Sequence, residues 1–76
     1  MIKEHDRVVL TTNLQAEKLE AGDVGSVVHV YRDGLAYEVE FSTLAGGTAA
    51  VATVEAAHVR SVSKRDISHV RELQPM

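Results

Sequence analysis

The 76-residue chain has no cysteine, no tryptophan and a single proline. Without cysteine, disulfides, thiolate metal sites and cysteine-nucleophile chemistry are all excluded. A domain this small without cross-links fits a reducing cytoplasm, where the core alone must supply stability. A chain of this length buries only about 60% of its unfolded surface, which leaves a thin margin. Aromatic residues are scarce, limited to Tyr31, Tyr37 and Phe41. The 45% hydrophobic fraction therefore leans on alanine and valine, and dimerisation would supplement a core of such small side chains. No apolar run approaches the roughly 20 residues that span a bilayer. The opening residues Met1 to Asp6 carry acids where a secretory signal needs a basic and then an apolar region. Neither export nor membrane insertion is expected. An excess of positive charge is missing too: 8 Lys and Arg stand against 11 Asp and Glu, for a net charge of −3. Phosphate neutralisation dominates nucleic-acid affinity, so this balance disfavours DNA and RNA.

What is present is β patterning. Asp6 to Thr12 reads as a first strand, with Val8 and Leu10 alternating against Arg7 and Val9. Asn13 to Gly22 is a polar connection holding at most one helical turn, and Leu14 and Leu19 can tuck it onto the body. Gly22 and Gly25 permit backbone angles closed to other residues, and Asp23 can hydrogen-bond its own backbone to fix the turn. The β-branched run from Gly25 to Tyr31 follows as the second strand. Arg32-Asp33-Gly34-Leu35 places Asp-Gly between two alternating runs, a strong hairpin signal. Ala36 to Phe41 is the third strand, with Tyr37, Val39 and Phe41 on a dry face and Glu38 and Glu40 on a wet one. Ser42 to Gly47 turns into a fourth strand, Thr48 to Val54. Glu55-Ala56-Ala57 is a single 3₁₀ turn, and His58 to Val62 is a short fifth strand. The expected architecture is mainly β: a small five-stranded SH3-like barrel over residues 1–62. An open four-stranded meander packed on a C-terminal helix is the alternative.

Residues 63–76 change character and are expected to form an amphipathic helix or a flexible tail. Ser63-Lys64-Arg65-Asp66 can act as a capping box, Ile67, Val70 and Leu73 recur every third residue, and Pro75 would end the helix. Such a narrow apolar stripe either lies across the barrel or engages a second chain. The same region holds the chain's one charge asymmetry, with Arg60, Lys64, Arg65 and Arg71 in its last seventeen positions. These seven residues (Ile67, Val70, Leu73, Arg60, Lys64, Arg65 and Arg71) are the candidate interaction site.

Other constellations carry little chemistry. His5, His29, His58 and His69 are too widely spaced for a compact metal motif. Glu38 and Glu40, about 7 Å apart on one strand face, read as solubilising carboxylates that discourage edge pairing. Gly22-Asp23-Val24-Gly25 opens a strand rather than a helix, so it is a structural turn and not a phosphate cradle. Tyr31 and Tyr37 flank a hairpin, but three aromatics in all are too few for a peptide groove of the SH3 type. One of the two tyrosines belongs in the core.

The order Asp6-x-Val8-x-Leu10, Gly22-Asp23-Val24-Gly25-Ser26-Val27-Val28, Ala36-Tyr37-Glu38-Val39-Glu40-Phe41 and Val59-Arg60-x-Val62 resembles the small bacterial proteins grouped as domain of unknown function 4926. The resemblance runs roughly from Ile2 to Val62 and leaves the tail outside. It implies a small barrel and supplies no activity or site residues to carry over. The Gly-x-x-Gly-x-Val pattern is also similar to KOW-type elements of ribosomal and transcription proteins, and to the small SH3-like accessory subunit of photosystem I. KOW relatives surround that pattern with Lys and Arg. This chain does not, which puts RNA binding in doubt. The expected function is a non-enzymatic protein-interaction or accessory module, without cofactor or metal, whose partner is another protein or a second copy. A nucleic-acid-associated barrel, as a regulator or toxin–antitoxin component, is the alternative.

Overall fold

Strand β1 (Arg7–Leu10) is followed by a 3₁₀ turn (Gln15–Glu17), then β2 (Val24–Tyr31), a tight connection at Arg32–Gly34, and β3 (Ala36–Ser42). Strand β4 (Thr48–Glu55), a 3₁₀ turn (Ala56–His58) and β5 (Val59–Ser61) complete the set. The computed structural model describes residues 1–73. All pairings are antiparallel, in the order β4-β3-β2-β1-β5. The ladder is open: β4 and β5 are its two ends, and the described residues do not pair them. The fold is therefore mainly β, as expected, with five antiparallel strands coiled around one core and the sheet left open between β4 and β5.

Two devices bend the sheet. Gly25 pairs with Val8 on one side and Phe41 on the other, so β2 serves both halves of the sheet at this residue. A Cβ there would lie 2.6 Å from Val39 Cγ1 and 2.8 Å from the Glu40 carbonyl oxygen. Glycine is thus needed at this crossing for close approach rather than for backbone angle. The second device is a bulge: Val27 opposes Val39 and His29 opposes Glu38, leaving Val28 as an extra residue.

The β2–β3 connection uses the expected Asp-Gly, but Arg32, Asp33 and Gly34 all take positive φ (48°, 59° and 91°). The core comprises Val8, Leu10, Leu19, Val27, Tyr37, Val39, Phe41, Ala52, Val54 and Val59. Leu19 arrives from the polar connection, pinned by reciprocal backbone hydrogen bonds with Leu14. Tyr37 is the core tyrosine and Tyr31 the exposed one. Val9, expected on the wet face, is buried. It lies between Val24 and Arg60 on the neighbouring strands, whose side chains share its face and cover it.

Of the two expectations for the tail, helix or flexible segment, the helical one is not seen. No helix forms over the described residues of 63–73; Pro75 lies outside the described residues. Half of the capping box nevertheless exists. The Ser63 backbone N–H donates to Asp66 Oδ2 at 2.7 Å, and the Asp66 N–H donates to the Ser63 carbonyl at 3.2 Å. The turn stops there because Ile67, Ser68, His69 and Val70 are all weak helix formers that do not repay nucleation.

Candidate interaction surface

Strand β5 delivers Arg60 to the outer face, just before the 63–66 turn. Its guanidinium grips Asp66 with two parallel bonds, Nη1 to Oδ2 at 3.0 Å and Nη2 to Oδ1 at 2.9 Å, and also reaches the Ser61 carbonyl. The hydrogen bond from Arg60 does most to hold the Asp66 carboxyl well below the ordinary carboxylate range, with the Ser63 N–H adding to it. A bidentate pair of this kind fixes orientation as well as charge, so the tail leaves β5 in a defined direction.

The second anchor is Arg71, which lies against the β1–β2 connection. Its Nε donates to Asp23 Oδ1 at 2.9 Å and its Nη2 donates to Asp23 Oδ2 and to the Lys18 carbonyl. Glu20 stands 3.7 Å away. Asp23 performs the turn role assigned to it, accepting from the Glu20 N–H at 2.8 Å, and holds Arg71 with the same carboxylate. Burial pushes the Asp23 carboxyl up. The Arg71 hydrogen bond, the Glu20 N–H and the Arg71 charge together outweigh burial and bring it below its usual value. The Arg71 guanidinium is held correspondingly more basic by Asp23. Arg71 also forms one wall of an open groove of about 340 Å³ lined by Asn13, Gln15, Lys18, Leu19 and Glu20.

Between and beyond these anchors lie the apolar candidates. Ile67 is 91% exposed, Val70 67% and Leu73 44%. None of the three belongs to the core or packs against it. The basic candidates separate into two kinds: Arg60 and Arg71 are committed to carboxylates, whereas Lys64 and Arg65 form no ion pair among the described residues. The four do not make one basic face. Sequence reasoning missed Asp23 as the receptor for Arg71, since a partner 48 residues away leaves no local pattern.

On the outer sheet face, Glu38 accepts from the Thr53 hydroxyl at 2.7 Å and from Tyr31 at 3.3 Å, and Glu40 accepts from Thr48 at 2.8 Å. Burial, followed by the Glu38 charge and hydrogen bond, raises the Tyr31 hydroxyl above its ordinary range. Both glutamates are cross-strand acceptors on β3, which is flanked by β2 and β4. They guard no edge, contrary to the expectation for them. Among the described residues no group of three His, Asp or Glu side chains is arranged to hold a metal. None of the described helices is long and apolar enough to cross a membrane.

Neither a curated protein nor a solved structure matches the chain. One family model does, over residues 4–61, the span from the first turn to the end of β5. The tail that carries Ile67, Val70, Arg71 and Leu73 falls outside that match. On the strength of a match covering most of its length, the chain belongs to the family described as Domain of unknown function (DUF4926).

Proposed function

We propose that this protein is a non-enzymatic interaction or accessory module that presents its C-terminal segment to a protein partner. The observation that supports the reading is the combination of two charged anchors with apolar side chains turned outward between and after them. Arg60–Asp66 and Arg71–Asp23 hold the backbone against the sheet, while Ile67 and Val70 remain in water at 91% and 67% exposure. Keeping branched aliphatic side chains in solvent forfeits roughly 1.5–3 kcal/mol each relative to burial, which a partner surface would recover. Anchoring the segment in advance also lowers the ordering cost of binding. Charge supports a protein over a nucleic acid: the chain is net negative, and two of its four clustered cations already have carboxylate partners.

The test compares the wild-type chain with an Ile67→Ser/Val70→Ser/Leu73→Ser variant in affinity capture from native lysate. A stoichiometric partner retained by the wild type and lost by the variant is the expected result. Equal recovery by both, or no stoichiometric partner at all, sinks the reading. A fluorescence titration with DNA and RNA at about 50 mM salt, where electrostatic affinity is strong, should show no binding.

A further inference from the structure

The two ends of the sheet are treated differently. At one end β5 is only three residues long, carries Arg60, and is followed at once by the clamped 63–66 turn. Those are the usual means of blunting an edge: shortness, charge and cover. At the other end β4 runs for eight residues, Thr48-Ala49-Ala50-Val51-Ala52-Thr53-Val54-Glu55. Among the described residues its only strand partner is β3. It has no proline, no glycine, no lysine, and one charge, at its last position. From Ala50 to Glu55 its pairing with β3 is regular, so no bulge twists that stretch away. Along its outer side, alternate N–H and C=O groups have no backbone partner among the described residues.

We infer that β4 is a self-association edge, which a second copy of this chain occupies by pairing its own β4 antiparallel to it in a continuous ten-stranded sheet. The charge pattern selects the occupant. Residues 48–54 are uncharged, and overlapping that stretch fully with itself puts the two-fold axis on Val51. Val51 then faces Val51, Ala50 faces Ala52, Ala49 faces Thr53 and Thr48 faces Val54. Directly opposed residues in antiparallel strands share a face, so the core-facing Ala52 and Val54 of both copies stay on the same side. The two Glu55 residues fall at opposite ends, about 27 Å apart at eight strand rises, well beyond the Debye length. A chain with net charge −3 thus brings no like charges together at this edge. The central Val51 side chain, half exposed in the single copy, meets its counterpart there. This surface is separate from the tail and does not depend on it.

Analytical ultracentrifugation of the full chain from micromolar to millimolar concentration tests the inference. The mass should rise from 8.3 kDa towards twice that value. Val51→Lys, which faces solvent in the single copy and places two ammonium groups on the axis, should hold the mass at the single-chain value. The Ile67→Ser/Val70→Ser variant should associate like the wild type. Since the chain has no cysteine, Val51→Cys supplies a check that does not depend on a charged variant folding. Opposed Cα atoms at about 4.5–5.5 Å are within disulfide reach, so it should oxidise to a covalent dimer far faster than Leu44→Cys in the exposed β3–β4 turn. A mass fixed at 8.3 kDa throughout, a Val51→Lys variant that associates unimpaired, or equal oxidation of the two cysteine variants overturns it. Dissociation caused by the tail variant would also overturn it, and would assign self-association to the tail instead.

Discussion

Replacing Gly25 with alanine tests the account of how this sheet coils. The added methyl would sit 2.6 Å from Val39 Cγ1, 2.8 Å from the Glu40 carbonyl oxygen and 3.0 Å from Phe41 Cδ2. Val39 is fully buried and Phe41 nearly so, so neither side chain has room to retreat. The carbonyl belongs to the β2–β3 ladder, where Ser26 faces Glu40, and withdraws only by loosening that ladder. Overpacking of a tight core costs about 1–3 kcal/mol; with backbone among the clashing atoms, the upper end applies. A 76-residue chain has a total stability of roughly 4–11 kcal/mol, so the loss is a large share of it. At ~4–8 °C per kcal/mol for a domain of this size, a loss of about 3 kcal/mol lowers Tm by ~12–24 °C. Gly22→Ala is the companion measurement. Its Cβ would meet nothing within 4 Å, but its φ of 98° imposes strain of about 1–2 kcal/mol. Thermal unfolding followed by circular dichroism reads both. If Gly25→Ala melts within about 4 °C of the wild type, or less severely than Gly22→Ala, the close-packed crossing is wrong.

Arg71→Ala should cost about 1–2 kcal/mol at neutral pH, because among the described residues it leaves the Asp23 carboxylate, 18% exposed, with the Glu20 N–H alone; urea unfolding measures it. The Asp23 carboxyl is depressed in the folded state, so its contribution is complete above the ordinary value of 3.8 and is lost as pH falls through the lower folded value. Wild-type stability should therefore decline more steeply below about pH 4 than that of Arg71→Ala, and parallel acid profiles would contradict the pairing. In the core, Leu10→Ala should lose about 2–5 kcal/mol, whereas Leu44→Ala, 86% exposed in a turn, should stay within ~0.5 kcal/mol.

Most of the sheet could be read from residue patterns alone. Tyr37, Val39 and Phe41 alternate with glutamates because β3 has one core face. The Asp33-Gly34 pair and Gly46-Gly47 mark real reversals, and all five strands begin within a residue of their expected starts. Two features were not legible, each because it depends on contacts distant in the chain. Val9 is buried on the outer face by neighbours from two other strands. The sheet stays open because closure depends on how β4 and β5 meet, which no local signal encodes. For the tail the residues left helix and flexible segment both open: a three-residue spacing and a capping box favour a helix, while the β-branched and polar residues after Asp66 oppose it, and no helix forms over its described residues. Among the seven candidate residues, the division into carboxylate-bound anchors and exposed side chains could not be read from the sequence. That division turns on Asp23, whose second role is visible only once Arg71 has folded back onto it.

The bulge in β2 gives this short chain a tolerance that its strands otherwise lack. Removing one residue from a strand normally swaps its inward and outward sets along everything beyond the cut. In β2, Gly25 and Val27 point inward before the irregularity and Val30 after it, so the parity has already changed once at Val28. Excising Val28 would straighten the ladder while returning His29, Val30 and Tyr31 to the same sides of the sheet. Within this strand, the bulge is where a codon can be lost without exchanging the protein's inside for its outside.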